Sequence, residues 1–520
     1  MKKILINKIF SSFVVFMIGV TVLTGSAVNA DEKKPIPEAK NIEVTELYKG
    51  VTLTSFDVDQ KSSYTLNKFK IVEFDPNQSD LYIDITNAAD YSNELKTVMQ
   101  TVGDFNKKNT EGKTAIAAVN GDLWMVAYAH ARVEGAGTHY GGFKDAVVTK
   151  ELTVPRGFNM YDGEIITSAH MQQETPYEGD FQSFGFTADN KPYLGQPKTT
   201  IRIKNTTKDV TKAVNGINRL PVKDALVMYT DKGTLSNYSL SDAFEVVVDC
   251  DYDYVVKHGE TIKGKVTAIC KEGDTDPQMQ ANRIILTARG SAVKKFKDYA
   301  IGDEVEISIE VKDEFGNDAV WQKEIKNAVG GHMVFAKNGE YIDLGAPSYY
   351  PSTIIAETNS GNVMLIQNDG RQEGYSLGLR HNDCDNLARE LDLKNAFIVD
   401  GGGSSTLIAL AEDGYKLVNR PSDKDSDGNY GAARIVVNSV ILSHGKDRNA
   451  PEEDSTSSNV NQAPDSTPTV NDKDNKKQSD KEPKKEPGKG WNWALVIGSI
   501  ICFIIAVFLA IRSANKKFGK

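Results

Sequence analysis

Short apolar stretches that alternate with polar residues recur along the middle of the chain. TLTSFDV, LYIDIT, TAIAAV, DALVMYT, FEVVVDC, KVTAIC, RIILTAR and EVEISIEV each show period-two alternation or a brief β-rich run, and each predicts a strand. Helical spacing is rarer. SNELKTVMQTVGDFNKK predicts one helix. HNDCDNLARELDL predicts another, with Leu387, Leu391 and Leu393 turned inward and Cys384 buried. Strands therefore dominate residues 31–445, and the expected class is α+β. The stretch from about 200 to 320 holds few chemistry-bearing residues and reads as a strand-rich subdomain or insertion, while the motifs crowd into 325–443. No internal repeat is evident.

Both ends depart from this pattern. Lys2, Lys3 and Lys8 precede an apolar run from Phe10 to Leu23, and SAVNA then offers a cleavage site after Ala30. Residues 1–30 read as a signal peptide, with a retained anchor as the alternative. At the other end WALVIGSIICFIIAVFLAI, Trp493 to Ile511, runs without a charge for a length that crosses a hydrocarbon core. Trp491 and Trp493 suit the outer interface, and Arg512, Lys516, Lys517 and Lys520 follow, so the tail at 513–520 is expected in the cytoplasm. Residues 446–490 carry almost no large apolar side chains and read as a disordered tether to a membrane helix at 491–512. No LPxTG-type sorting motif precedes that helix. The expected arrangement is a single-pass cell-membrane protein with its folded region outside.

Composition adds exclusions. Forty per cent hydrophobic and 25% charged residues suit a globular region. A net charge of −10, with no basic stripe interleaved with aromatics, argues against nucleic acid as a partner. Cys250 and Cys270 could pair outside the cell, but two cysteines give no disulfide framework. No CxxC or His/Cys cluster suggests zinc.

Four stretches carry candidate chemistry. In NAFIVDGGGSSTLIAL an apolar strand delivers Asp400, then Gly401, Gly402, Gly403, Ser404 and Ser405. The run lacks the closing glycine of a nucleophile elbow and the lysine of a P-loop. What remains is a carboxylate beside bare backbone, whose N–H groups can form an anion nest and whose serines add hydroxyl donors. A tight glycine turn with a capping aspartate is the plain alternative. AIAAVNGDLWMV places Asn120 and Asp122 at a strand end, with Trp124 available as an apolar wall for a sugar ring; a hairpin turn is the plain reading. LIQNDGRQEGYSLGL presents Asp369 and Arg371, and arginine is shaped for bidentate phosphate contact. In VNRPSDKDSDGNYGAARIVVNSVILS, Asp423, Asp425 and Asp427 mimic half a calcium loop, but the twelfth position is Arg434, so the loop reads as presenting that arginine.

Taken in order, NGD after a strand, RGFNMYDGEII, FGFTADNKPYLG, GINR, DGR…GYSLGL, IVDGGGSSTL and NRPSD…ARIVVNSV resemble the phosphodiester glycosidase family, over roughly residues 60–443 and most firmly 325–443. The resemblance implies hydrolysis of a sugar-1-phosphodiester, of the N-acetylglucosamine type, with release of free sugar and a phosphate monoester. It also implies that Asn120, Asp122, Asp369, Arg371, Asp400, Ser404, Ser405 and Arg434 line the site. One departure stands out. Members often carry an arginine in a P-R-T-A-I-G-like segment before the D-G-R strand; here YYPSTIIAE has Ser352 at the arginine place and Ala356 at the glycine place. Arg289 and His332 are candidate substitutes.

Glycoside cleavage commonly uses two carboxylates. Asp400 is the first expected catalytic residue and Asp122 the second, with Arg371, Arg434 and the 401–405 segment stabilising phosphate. Spacing does not assign their individual roles. No cofactor is evident, and the sequence leaves a divalent metal beside Asp400 open. The expected partner is a sugar-phosphate glycoconjugate or a wall or capsule polymer. Two other classes stay open: a non-catalytic glycopolymer-binding protein, and a phosphodiesterase that breaks P–O.

Overall fold

A computed structural model describes residues 34–450 apart from 61–63, 88–94, 109–111, 128–151, 172–180, 232, 234–242, 252, 272–273, 275–276 and 346–347. The expected signal peptide, nearly all of the tether, the membrane helix and the tail lie outside the described residues. No helix among the described residues is long and apolar enough to cross a membrane.

Strands dominate, as the alternation predicts. One eight-stranded antiparallel sheet runs in the order Lys40–Tyr48, Val51–Val58, Asn67–Phe74, Val363–Asn368, Ser352–Thr358, Leu393–Gly401, Met333–Lys337 and Glu340–Tyr341. A five-stranded antiparallel sheet has the order Gly414–Leu417, Leu407–Ala411, Thr114–Asn120, Asn438–His444 and Leu81–Asn87. The two sheets share one core. Val72, Phe74, Leu365, Phe397 and Val399 from the first meet Ile83, Ile116, Val119, Leu407 and Val440 from the second. Full burial of such side chains is worth about 1.5–3 kcal/mol each, which fixes the strands and hence the loops at their ends.

A helix covers each outer face. Cys384–Glu390 lays Cys384, Leu387 and Ala388 on the first sheet's far side, against Ile354, Ile366 and Ile398, and Leu391 and Leu393 are buried with them. Val98–Lys108 lays Val98 and Val102 against Ala118, Ile408 and Ile441 of the second. A second five-stranded sheet, Pro192–Gly195, Gln182–Thr187, Ile325–Gly331, Asn159–Tyr161 and Glu164–Thr167, adds Phe184, Phe186 and Val329 to the shared core.

Residues 197–313 contribute a separate eight-stranded sheet, whose core of Ile203, Val248, Ile262, Leu286 and Ile307 continues through Met160, Ile165 and Ala328 of the second five-stranded sheet. Its strand Glu304–Asp313 shows why alternation was readable: Val305, Ile307, Ile309 and Val311 are buried, and Glu304 and Glu310 are exposed. Here the question of Cys250 and Cys270 is settled. Their strands are neighbours, but Cys270 lies opposite Glu245 and Cys250 opposite Gly264, at opposite ends of the ladder. No disulfide joins them, because the register keeps the thiols several residues apart.

Candidate active site

Asp400 ends the strand Leu393–Gly401, whose apolar run Ala396 to Val399 is fully or almost fully buried. The sheet's packing thus carries a carboxylate into an interior where only 5% of it is exposed. Its Oδ1 accepts the Gly401 N–H at 2.7 Å, and the Ser404 side chain also bonds to it. Burial raises its pKa to about 6, against the opposing pull of the Ser404 and Gly401 bonds and of the Arg434 and Arg156 charges.

The glycine run that follows differs from an open anion nest. The Gly401 N–H is held by the Asp400 carboxylate, and the Gly402 N–H donates to the Pro351 carbonyl at 2.8 Å. The glycines serve a different need, close approach. Gly402 takes a left-handed φ of 65°, and a Cβ there would lie 2.9 Å from Arg371 Nη1. A Cβ on Gly403 would overlap both the Asp423 carboxylate and the Arg434 guanidinium. Bare backbone therefore lets two arginines press against the segment beside Asp400.

Those arginines are not equivalent. Arg434 is paired with Asp423, Nε to Oδ2 at 2.7 Å and Nη2 to Oδ1 at 2.8 Å. Arg371 has an exposed side chain stacked over the Tyr350 ring at 5.1 Å, and no ion pair joins it to a carboxylate among the described residues. Ser352 lies opposite Gly401 in the ladder and is 1% exposed. The place where the family resemblance puts an arginine thus borders the glycine run. Arg289 does not replace it: its Nη1 donates to the Pro221 carbonyl, among residues of the 197–313 sheet region. His332 is nearer, with its backbone N–H on Ile398 and its Nδ1 3.2 Å from the Val399 carbonyl.

The second carboxylate arrives from the other sheet. Strand Thr114–Asn120 ends against Asn438, whose carbonyl accepts the Gly121 N–H and whose Oδ1 accepts the Asp122 N–H at 2.8 Å. Asn-Gly here turns no hairpin; it lets the chain pass close to Asn438. Asp122 is 1% exposed, and its Oδ2 accepts from the Gly157 N–H at 2.8 Å and Asn159 Nδ2 at 3.0 Å. Its Oδ1 is buried with no hydrogen-bond partner among the described residues. Burial pushes its pKa up to about 7; the Asn159 and Gly157 bonds and the Arg219 charge oppose this, and the Asp400 charge adds to it. The two carboxylates are therefore electrostatic neighbours. No group of three or more His, Cys, Asp or Glu among the described residues is placed to hold a metal ion.

Residues 256–483 match the model of the phosphodiester glycosidase family. This chain carries a phosphodiester glycosidase domain. The matched stretch includes Asp369, Arg371, Asp400 and Arg434, whereas Asn120 and Asp122 precede it and its end passes beyond the described residues. The family is one of hydrolases, which supports hydrolase activity in general. No curated protein matches the chain. A hypothetical protein from Synechocystis has a similar structure, with TM-score 0.56 and 15% identity over 78% of this chain. The chain covers 64% of that protein's length. A protein from Burkholderia pseudomallei K96243 aligns with TM-score 0.51 and 17% identity over 72% of this chain and 74% of its own. At such identities these likenesses show the fold alone. The zebrafish N-acetylglucosamine-1-phosphodiester alpha-N-acetylglucosaminidase catalytic domain aligns at TM-score 0.35 and 12% identity over 80% of this chain and 86% of that one, too loosely to carry residues across.

Two of the expected site residues are framework. Asn120 is fully buried; its Oδ1 accepts from Thr353 Oγ1 at 2.6 Å and the Thr406 N–H at 3.0 Å, joining both sheets of the core. Asp369 accepts from the Arg420 N–H at 2.9 Å, Asn419 Nδ2 and Gln367 Nε2 at 3.2 Å, and the Tyr375 hydroxyl at 3.0 Å. Ser405 is fully buried, with an Oγ that has no partner among the described residues. Trp124 is no sugar wall, because it is 3% exposed and packs on Val437. Sequence reasoning missed Arg156 and Arg219, the buried arginines whose charges act on Asp400 and Asp122. They sit within RGFNMYDGEII and GINR, so the motifs flagged the segments but not the side chains.

Proposed function

We propose that the chain hydrolyses sugar-1-phosphodiesters at the anomeric C–O bond, releasing free sugar and a phosphate monoester, with N-acetylglucosamine as the sugar. The observation that carries this reading is the pair Asp400 and Asp122. Both are almost fully buried and raised towards neutrality, the Asp400 charge acts on Asp122, and two arginines press on the bare backbone that follows Asp400. Environments that separate two carboxyl pKa values assign acid and base roles. Asp400, supported by two hydrogen bonds and nearby cations, is the ionised member that activates water or attacks the anomeric carbon. Asp122, with one oxygen unpartnered, holds a proton for the departing phosphate. A phosphodiester leaves as a weak base, so the larger contribution comes from Arg371 and Arg434, which stabilise charge on the leaving phosphate. Held outside a membrane on its C-terminal helix, the enzyme would meet glycoconjugates or wall and capsule polymers.

A second reading, a glycopolymer-binding protein without turnover, is favoured by Ser352 in the arginine place and by the Arg434–Asp423 pairing. One experiment separates the readings. Full-length protein is incubated with an N-acetylglucosamine-1-phosphodiester in ¹⁸O-labelled water. Label in the free sugar is the expected result. Label in phosphate, with sugar-1-phosphate released, establishes P–O cleavage instead. Binding without turnover across a panel of sugar-1-phosphodiesters establishes the binding protein.

A further inference from the structure

Beyond Gly402 the surface carries cations laid over aromatic rings. Arg371 lies over Tyr350 at 5.1 Å. Arg420 lies over Tyr375 at 4.7 Å and Tyr430 at 5.6 Å, and Lys424 over Tyr430 at 4.5 Å. Arg371, Arg420 and Lys424 are exposed, and no ion pair to a carboxylate engages them among the described residues. The acids nearby do not cancel them. Asp423 is occupied by Arg434, and Asp425 accepts the N–H groups of Asp427 and Asn429 in its own loop. Glu373 is the only acid in the 370–378 loop.

The patch is built on a buried framework. Asp369 fixes both the Tyr375 hydroxyl and the Arg420 backbone N–H, and Gln372 Nε2 donates to the Arg420 carbonyl at 2.8 Å. One end touches the Asp400 segment through Arg371 and Gly402. In a chain of net charge −10, an uncompensated cationic surface that starts at the active site selects for an anionic ligand. The rings beneath hold the cations in place, with Lys68 also over Tyr375 at 5.1 Å.

We propose that this surface, Arg420, Lys424, Tyr375 and Tyr430 continuing from Arg371, is a leaving-group subsite for a carrier with further phosphates beyond the scissile one. The substrate class is then a sugar-1-phosphate joined to a phosphodiester-linked polyanion, in preference to a single neutral alcohol. This rests on the glycosidase reading above, and its test keeps the two apart. Full-length protein is given two substrates, the methyl ester of N-acetylglucosamine-1-phosphate and the same sugar phosphate joined to a short oligo(glycerol phosphate). Binding of sugar-free oligo(glycerol phosphate) is measured by calorimetry in parallel.

The variant pair Arg420→Gln with Lys424→Gln is compared with a charge-matched control, Lys265→Gln with Lys312→Gln, at exposed positions of the 197–313 sheet. The expected result is a wild-type kcat/KM preference for the polyanionic carrier that falls about tenfold in the first pair, with methyl-ester turnover unchanged and the oligo(glycerol phosphate) Kd raised by a similar factor. The binding should also weaken as salt rises. Unchanged preference and binding in that pair, or an equal loss in the control pair, overturns the subsite. Absence of turnover with either substrate, together with binding that Arg420→Gln and Lys424→Gln abolish, overturns the glycosidase reading and leaves the subsite standing.

Discussion

Asp122→Asn should make the protein more stable at alkaline pH while abolishing turnover. In the folded chain burial holds the Asp122 carboxyl at a pKa of about 7, against an ordinary value of 3.8. The folded state therefore binds a proton that the unfolded state has released, and stability falls as pH rises from about 4 through 7. The gap between 3.8 and about 7, at about 1.4 kcal/mol per pH unit, amounts to about 4 kcal/mol in all, of which about 3 kcal/mol falls between pH 5 and pH 8. Asparagine mimics the protonated acid. Its Oδ1 can take the Gly157 and Asn159 donors, and its amide nitrogen takes the place of the unpartnered oxygen. The unpaired amide costs about 1–3 kcal/mol, but that cost does not vary with pH and cancels between the two conditions. Unfolding free energies from urea titrations of wild type and variant at pH 5 and pH 8 supply the test. The variant should gain about 3 kcal/mol on wild type between the two. A difference that does not change with pH, or a variant that loses ground at pH 8, would refute the argument by showing that the folded state favours the Asp122 anion.

Three further outcomes follow from the same geometry. With Asp400 ionised above about 6 and Asp122 protonated below about 7, kcat/KM should peak between those values and fall on both sides; a plateau extending to pH 9 would remove Asp122 from the acid role. Arg371→Ala deletes an exposed side chain without an ion-pair partner among the described residues, so kcat/KM should fall about tenfold or more with stability within about 0.5 kcal/mol of wild type; steady-state kinetics and a melting curve check both parts. Asp369→Ala leaves four donors without their acceptor, and calorimetry or urea titration should show a loss of about 3 kcal/mol.

Much of the architecture was legible because strands with one buried face alternate, and Glu304–Asp313 or Val51–Val58 could be read directly. The helix over the first sheet was legible for a related reason: Leu387 and Leu391 recur at helical spacing and Cys384 falls on the same face. The site was harder. A sequence shows that Asp400 ends an apolar run, but not that its neighbouring N–H groups are already engaged by Asp400 itself and by Pro351. It shows Asp369 beside Arg371, but not that one holds a buried framework and the other faces out. Arg156 and Arg219 escaped because a buried arginine, even one such as Arg219 that bonds to the Pro155 and Ser168 carbonyls, looks in one dimension like any surface cation.

The decisive part of the site lies in what glycine permits between separate segments. A Cβ on Gly157 would collide with the Gly330 backbone, and one on Gly330 with the Asp122 carboxylate. The strand Ile325–Gly331 leads directly into His332, whose N–H donates to Ile398 two residues before Asp400. The backbone against Asp122 therefore carries no side chain at Gly157 or Gly330, and it runs on into contact with the strand that carries Asp400. Any larger residue at Gly330 would push the Asp122 carboxylate away from the position that its Gly157 and Asn159 bonds fix. Burial is what raises both pKa values, and at Asp122 the Asp400 charge adds to it. The glycines at 157 and 330 are thus as much part of the Asp122 environment as its hydrogen-bond partners, Gly157 through its own N–H and both through the side chain they lack.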